Sequence, residues 1–166
     1  MSFKSTVLAA VAASLFAVPA LAEGIMVKDP YARASTAKST SGAAFMTIMN
    51  HSGQDDRLIA ATTSAAKRAE LHTHKEDANG VMQMLHIEEG FTVADGEMLE
   101  LKRGGKHVML MGLTAPFEQD KMLSLTLSFE HAGDVVVELP VDLARKPGKD
   151  AHGAHGDHAG HGEMKH

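Results

Sequence analysis

A strict alternation of apolar and polar residues limits what this chain can fold into more than any other feature. In Leu123–Phe129 every second residue is Leu or Phe, and the residues between them are Ser or Thr. A period of two belongs to a β-strand with one buried and one solvated face. The pattern returns in residues 135–141, and His131–Asp134 is predicted as the loop between the two strands. The two segments therefore predict a β-hairpin.

Further short strands are predicted along most of the chain. They lie at residues 43–50, 58–61, 69–74, 81–87, 98–101 and 107–111. Turns containing Gly or Asp separate them, and no stretch has the period of a long amphipathic helix. The sequence predicts an all-β fold: a small Greek-key β-sandwich or barrel of the cupredoxin-like or immunoglobulin-like type. Gaps in its core are expected to be filled by Met46, Met49, Met98, Met111 and Met122.

The N-terminal segment has the composition of a signal peptide. Lys4 is followed by the apolar residues 7–18 and by the small-x-small sequence Ala20-Leu21-Ala22. Residues 1–22 are therefore predicted to be removed on export to the periplasm. The remaining 144 residues predict one domain over residues 23–145 and a tail over residues 146–166. No segment has the roughly 20 apolar residues that a membrane span needs.

Composition argues against several classes of function. The net charge is -5, and one Tyr and no Trp give little material for stacking bases, so nucleic-acid binding is not expected. No cysteine is present to form a disulfide or a blue-copper site. The nucleophile motif Gly-x-Ser-x-Gly and the zinc motif His-Glu-x-x-His are also missing. The protein is expected to be a monomer without enzymatic activity.

His107 and Met109 are the pair most suggestive of a ligand site. Only Val108 separates them on a predicted strand, so both side chains point to one face. Val108 and Leu110 then point to the opposite face, which suits a core. His107 and Met109 can therefore bind one ion without disturbing the packing.

Two other strands offer the same residue types. By the same alternation, His72 points away from the core, because its neighbour Leu71 points into it. Met84 likewise lies on the face of residues 81–87 that does not carry the apolar residues. His74 and Met82 share these faces and are alternatives to His72 and Met84. Thioether sulfur favours Cu(I), whereas imidazole alone accepts zinc, nickel or copper. The mixed His and Met set therefore predicts a Cu(I) site.

With these residues the chain resembles the PCuAC family of periplasmic Cu(I) chaperones, which are small β-sandwich domains. The family signature is His, ten residues, Met, twenty-one residues, then His-x-Met; here the intervals hold eleven and 22 residues, which loop insertions explain. Further matches are DPYARAS, SGAAFMTIMN and DDRLIAATTSAA. The resemblance implies that Cu(I) is bound by His72, Met84, His107 and Met109.

The same resemblance implies a partner for the bound ion. PCuAC proteins pass Cu(I) by ligand exchange to the copper centre of a respiratory cytochrome oxidase, directly or through another chaperone. A periplasmic protein for copper storage or resistance would use the same ligands and is the alternative function.

The C-terminal tail is rich in His and Gly, and Gly disfavours a stable helix, so the tail is expected to be disordered without metal. Imidazole-rich sites suit Cu(II) better than Cu(I), so a secondary Cu(II) site is predicted here. Its candidate ligands are His152, His155, His158, His161, Met164 and His166.

Overall fold

The computed structural model describes residues 24–36 and 38–146, which form ten β-strands and no helix. The strands are β1 (Ile25–Arg33), β2 (Ser41–Asn50), β3 (Asp56–Thr62), β4 (Ala66–Glu76), β5 (Met82–His86), β6 (Phe91–Val93), β7 (Met98–Leu101), β8 (His107–Leu113), β9 (Met122–Phe129) and β10 (Gly133–Pro140). The predicted signal peptide over residues 1–22 and the tail residues 147–166 lie outside the described residues. No helix in the described ranges could cross a membrane.

Two antiparallel sheets build the domain. The larger has the order β1-β2-β8-β4-β5, with β7 also paired with β2, and the smaller has the order β10-β9-β3-β6. The core contains apolar residues of both sheets, and its most deeply buried side chains include Ile48, Val108, Leu110, Leu58, Leu125 and Leu127. The predicted all-β sandwich is confirmed.

Strands β9 and β10 form the predicted hairpin, with one buried and one exposed face. Leu125 lies opposite Val137, and Leu127 lies opposite Val135. Leu125, Leu127 and Val137 are buried, whereas Val136, on the other face, is exposed. Because apolar side chains point inward at every second position, the hairpin contributes one wall of the core.

Strands β1 and β6 were not predicted, for different reasons. Strand β1 contains Pro30, and its pairing with β2 shifts between Lys28 and Tyr31. Such an irregularity breaks the period of two, and an edge strand tolerates a proline that a central strand does not. Strand β6 has only three residues, too few to display a period.

The methionines do not all pack in the core as expected. Met46 is buried, but the expectation was wrong for Met98 and Met122, which are 60% and 54% exposed. In β7 the buried side chains are Leu99 and Leu101, so the alternation turns Met98 outward. Met122 is the first residue of β9 and lies opposite Pro140 at the end of the hairpin.

Asp56 is a buried carboxylate that ties β3 to the turn of the β9-β10 hairpin. It is only 3% exposed, and it accepts backbone N–H bonds from Arg57 at 2.7 Å, His131 at 3.0 Å and Ala132 at 2.9 Å. Burial by itself raises the pKa of a carboxyl group, yet these three donors outweigh burial and lower the pKa of Asp56 below its ordinary 3.8. The ionised form therefore stabilises the fold.

We expect Asp56→Ala to lower the free energy of unfolding by roughly 1–3 kcal/mol, because it leaves buried N–H groups without an acceptor. Urea unfolding measures the loss, and Asp56→Asn, which keeps one acceptor oxygen, should lose less. The contribution of Asp56 is present above about pH 3.8 and is lost as the pH falls through its lower folded-state pKa. Equal stability of Asp56→Ala and the parent at pH 7 would contradict this role.

Candidate metal centre

The register of the larger sheet places the predicted ligands on one face. Met109 lies opposite Glu70, and His107 lies opposite His72. On the other side of β4, His72 lies opposite His86 and His74 lies opposite Met84. Directly opposite residues of antiparallel strands share a face. His72, Met84, His107 and Met109 therefore all lie on the outer face of the larger sheet, as the alternation predicted.

His107 is at the centre of this face and is covered by other rings. It is only 3% exposed, and its ring centroid lies 6.1 Å from that of Phe45, 5.9 Å from that of His72 and 5.3 Å from that of His74. The Nδ1 atom is 3.0 Å from the carbonyl oxygen of Gly105. Because a carbonyl only accepts, Nδ1 carries the proton and Nε2 keeps a free lone pair.

The loop before β8 aims this carbonyl. Gly104 has a φ of 77°, a left-handed conformation that glycine adopts readily, and it forms one of the Gly-containing turns between strands. The carbonyl of Gly105 also lies 3.3 Å from Nδ1 of His74. A single carbonyl thus orients two imidazoles and leaves Nε2 of each available as a ligand.

His72 is oriented by a carboxylate instead. Its Nε2 atom lies 3.0 Å from Oε2 of Glu70, while its Nδ1 atom is buried without a hydrogen-bond partner. The hydrogen bond from His72 is the largest of the effects that lower the pKa of Glu70, and Arg68 and His86 act in the same direction against burial. An ionised Glu70 requires a protonated Nε2, so the buried Nδ1 holds a free lone pair, which is what a metal ligand needs.

A cavity of ≈ 390 Å³ opens beside His107 on this face. Its wall includes His107, Met109, Met84 and His74, but not His72. His72 and His74 lie two residues apart on β4, and both contact the ring of His107. Either can supply the second imidazole. Met82 lies opposite Glu76, further along the β4-β5 hairpin, and does not line the cavity.

The cavity wall carries positive charge and no carboxylate. Its charged lining residues are Arg33 and Arg103, both of which donate to the carbonyl oxygen of Arg145, at 2.9 Å and 3.4 Å. Hard cations such as Ca²⁺ and Mg²⁺ need oxygen ligands, usually carboxylates. In residues 24–36 and 38–146, no three His, Cys, Asp or Glu groups form a metal-binding cluster. A metal in this cavity therefore has neutral imidazole and thioether donors available.

Sequence reasoning missed several residues of this face. Glu70 and His86 were not among the predicted ligands. The structure places Nδ1 of His86 4.0 Å from Oε2 of Glu70, and the His86 ring centroid 5.5 Å from that of His72. The position of Glu70 two residues before His72 was an available signal. No sequence signal pointed to Arg33 or Arg103, and the predicted tail ligands at residues 152–166 lie outside the described residues.

The fold and this face define a small β-sandwich domain with a cluster of His and Met side chains on one sheet. A family model described as "Putative lipoprotein LpqE-like" matches residues 25–141. The curated protein "Putative lipoprotein Lxx21020" of Leifsonia xyli is 35% identical over 120 residues, which cover 72% of this chain and 70% of that protein. The chain belongs to the LpqE-like family, and the resemblance to PCuAC proteins is confirmed.

Several solved structures share this fold. The Cu(I) form of DR1885 from Deinococcus radiodurans is 30% identical, with a TM-score of 0.52 over 75% of this chain and 84% of that one. The apo form of DR1885 is 27% identical, with a TM-score of 0.57 over 88% and 95%. The copper-bound PCuAC domain from PmoF2 is 21% identical, with a TM-score of 0.59 over 72% and 93%, and shows likeness of fold alone.

We expect the pKa of the His107 imidazole to lie below its ordinary value of 6.5, because burial disfavours the imidazolium. His74 and His72 lower this pKa further by repulsion, whereas the hydrogen bond to Gly105 raises it. Its NMR signals followed against pH measure this. Between the two pKa values the unfolded chain binds more protons, so the metal-free protein should lose stability as the pH falls below 6.5. A His107 midpoint at or above 6.5 would contradict this environment.

Proposed function

We propose that this protein is a copper chaperone that binds Cu(I) on the outer face of its larger sheet and passes the ion to an acceptor by ligand exchange. The ligands are His72, Met84, His107 and Met109. The observation that carries the proposal is the convergence of two imidazoles with free lone pairs and two thioethers on one face, next to a cavity without carboxylates. Copper in the related PCuAC structures supports the choice of metal.

The charge of the donors favours the reduced ion. Two imidazoles and two thioethers are neutral, and the nearby guanidinium groups of Arg33 and Arg103 disfavour additional positive charge. A monovalent ion meets less repulsion here than a divalent one. Thioether sulfur is also a soft ligand, which selects Cu(I) over zinc. Charge and softness therefore favour the same ion.

Met84 offers the route for exchange. It lies on β5, the edge strand of the sheet, and it is 46% exposed, whereas His107 is buried. An acceptor can approach this edge and replace the thioether of Met84 first, because that side chain is the most accessible of the four. The buried imidazole then leaves last. Cu(I) can leave in this way without changing its oxidation state, and the neutral thioether takes up no proton when it is displaced. Such release suits a carrier rather than an enzyme.

The second imidazole is assigned to His72 for a physical reason. Its Nδ1 atom is buried without a partner, and its Nε2 atom is fixed by Glu70. His74 is the alternative, because it lines the cavity with Met84 and lies opposite it in the register. Single His72→Ala and His74→Ala variants distinguish the two, since the ligand variant should lose far more Cu(I) affinity.

Export and delivery complete the proposal. A signal peptide cleaved after Ala22 takes the domain to the periplasm, and the acceptor is the copper centre of a respiratory cytochrome oxidase or another copper chaperone. The names of the family and of the Leifsonia relative both contain the words "Putative lipoprotein", which supports export. Storage is the second candidate function, favoured by the number of His residues in the tail. A transfer assay separates them, because a storage protein retains its copper when the acceptor is added.

We expect Met109→Leu to fold like the parent, since the two side chains have similar volume, and to bind Cu(I) more than about tenfold more weakly, which is ~1.4 kcal/mol. Titration of Cu(I) against a competing chelator measures the affinity. The matched control is Met98→Leu, which removes an exposed thioether on β7, outside the cavity. Parental affinity in Met109→Leu, or an equal loss in Met98→Leu, would remove Met109 from the site.

The tail begins close to the proposed site, which supports cooperation between the two. The carbonyl of Arg145 accepts hydrogen bonds from Arg33 and Arg103, both of which line the cavity. Arg145 is itself held by Asp29 and Asp142 and lies 4.0 Å from the centre of the Tyr31 ring. The sequence predicts a disordered tail, and a disordered chain of the length from Arg145 to His152 spans about 15 Å on average. We propose that the tail captures Cu(II) or additional copper at high local concentration.

Truncation after Lys146 tests the tail. We expect the truncated protein to retain one Cu(I) per domain and to lose most of its Cu(II) uptake, because the tail imidazoles are removed while the folded domain is intact. Cu(II) titration of the full and truncated chains, followed by visible absorbance and paramagnetic resonance, measures both. Identical Cu(II) stoichiometry and affinity in the two chains would exclude a role for the tail.

A further inference from the structure

We propose that Glu70 is a positioning residue of the copper site, which holds the His72 ring with Nδ1 directed to the ion. This inference rests on the proposed function and deepens it. Glu70 does not contact the metal in this proposal. It acts through the hydrogen bond between its Oε2 atom and Nε2 of His72, at 3.0 Å.

The surroundings of His72 give its two ring nitrogens different roles. A carboxylate can only accept a hydrogen bond, so the nitrogen facing it is the protonated one. The other nitrogen, Nδ1, is buried and has no partner in the described part of the chain. A buried nitrogen without a partner costs stability in the metal-free protein. Binding an ion removes that cost, and the carboxylate keeps the ring from turning Nδ1 away.

The register adds a second link to the site. Glu70 lies directly opposite Met109 on β8, and His72 lies opposite His107. Glu70 is therefore a neighbour of His72 along β4 and a neighbour of the Met109 thioether across the strand pair. A side chain in this position can fix one ligand and limit the space of another.

Two further basic side chains, Arg68 and His86, lie near Glu70. Nη1 of Arg68 lies 3.4 Å from Oε1, and Nδ1 of His86 lies 4.0 Å from Oε2. Arg68 is highly exposed, so its ion pair contributes little to stability. The bond to His72 is the shortest of the three contacts and lies at the site. Loss of Glu70 should therefore affect copper binding more than folding.

The test compares Glu70→Ala with Glu70→Gln, whose amide oxygen can still accept from Nε2 of His72. We expect Glu70→Ala to weaken Cu(I) binding by about 10- to 100-fold, the usual cost of losing such a partner, and Glu70→Gln to lose clearly less. If the negative charge of Glu70 were its only contribution, both variants would lose the same amount. The control Glu76→Ala, an exposed position further along β4, should bind like the parent.

The contact between Glu70 and His72 can also be tested by NMR in the metal-free protein, without any copper titration. Nitrogen-15 NMR of the His rings should show Nε2 of His72 protonated, with a slowly exchanging proton, in the parent and in Glu70→Gln. In Glu70→Ala this proton should exchange faster and the ring should become a mixture of tautomers. Thermal unfolding of all variants verifies that they remain folded.

The outcomes are distinguishable. If the parent domain binds no Cu(I) but the His72 signal responds to Glu70 as expected, the proposed function fails while the contact stands. If the parent binds Cu(I) and a folded Glu70→Ala binds it equally well, or if Glu70→Gln and Glu70→Ala lose the same affinity, the positioning role is wrong.

Discussion

The pairing of β8 with its two neighbours is the constraint on which the site and the core both depend. β8 occupies the middle of the larger sheet, between β2 and β4. Its alternation sends Val108 and Leu110 into the core and His107 and Met109 to the outer face. A register shift of one residue would exchange these two sets. The packing that stabilises the sandwich thereby also fixes where the ligands point.

Around this strand, each candidate imidazole is held by one nitrogen and left free at the other. A backbone carbonyl holds His107 and His74, and a carboxylate holds His72. Such partners already fix the orientation of each ring, so less conformational freedom is lost when the ring binds an ion. The thioether of Met84 has no comparable restraint on its edge strand. This contrast between fixed imidazoles and an accessible thioether suits a site that must hold an ion and also release it.

Much of the fold was accessible from the sequence because alternation is a local property. It located β9 and β10, and it assigned the correct face to His72, Met84, His107 and Met109. It failed for β1, where Pro30 and a shift in pairing break the period. The expectation for Met98 and Met122 was wrong because it rested on residue type and not on alternation, which turns Met98 outward beside the buried Leu99. Composition alone treats a methionine as apolar and cannot state what lies opposite it.

The sequence by itself determined most of the strands, the faces of the ligands and the type of donor, since these follow from residue identity and a period of two. Tertiary structure decided which side chains meet. The contact between Glu70 and His72 requires particular rotamers, and the shared carbonyl of Gly105 requires the turn at Gly104. The placement of Arg33 and Arg103 at one cavity requires that two segments distant in the chain come together. Such contacts depend on register and packing between segments, which no local pattern encodes.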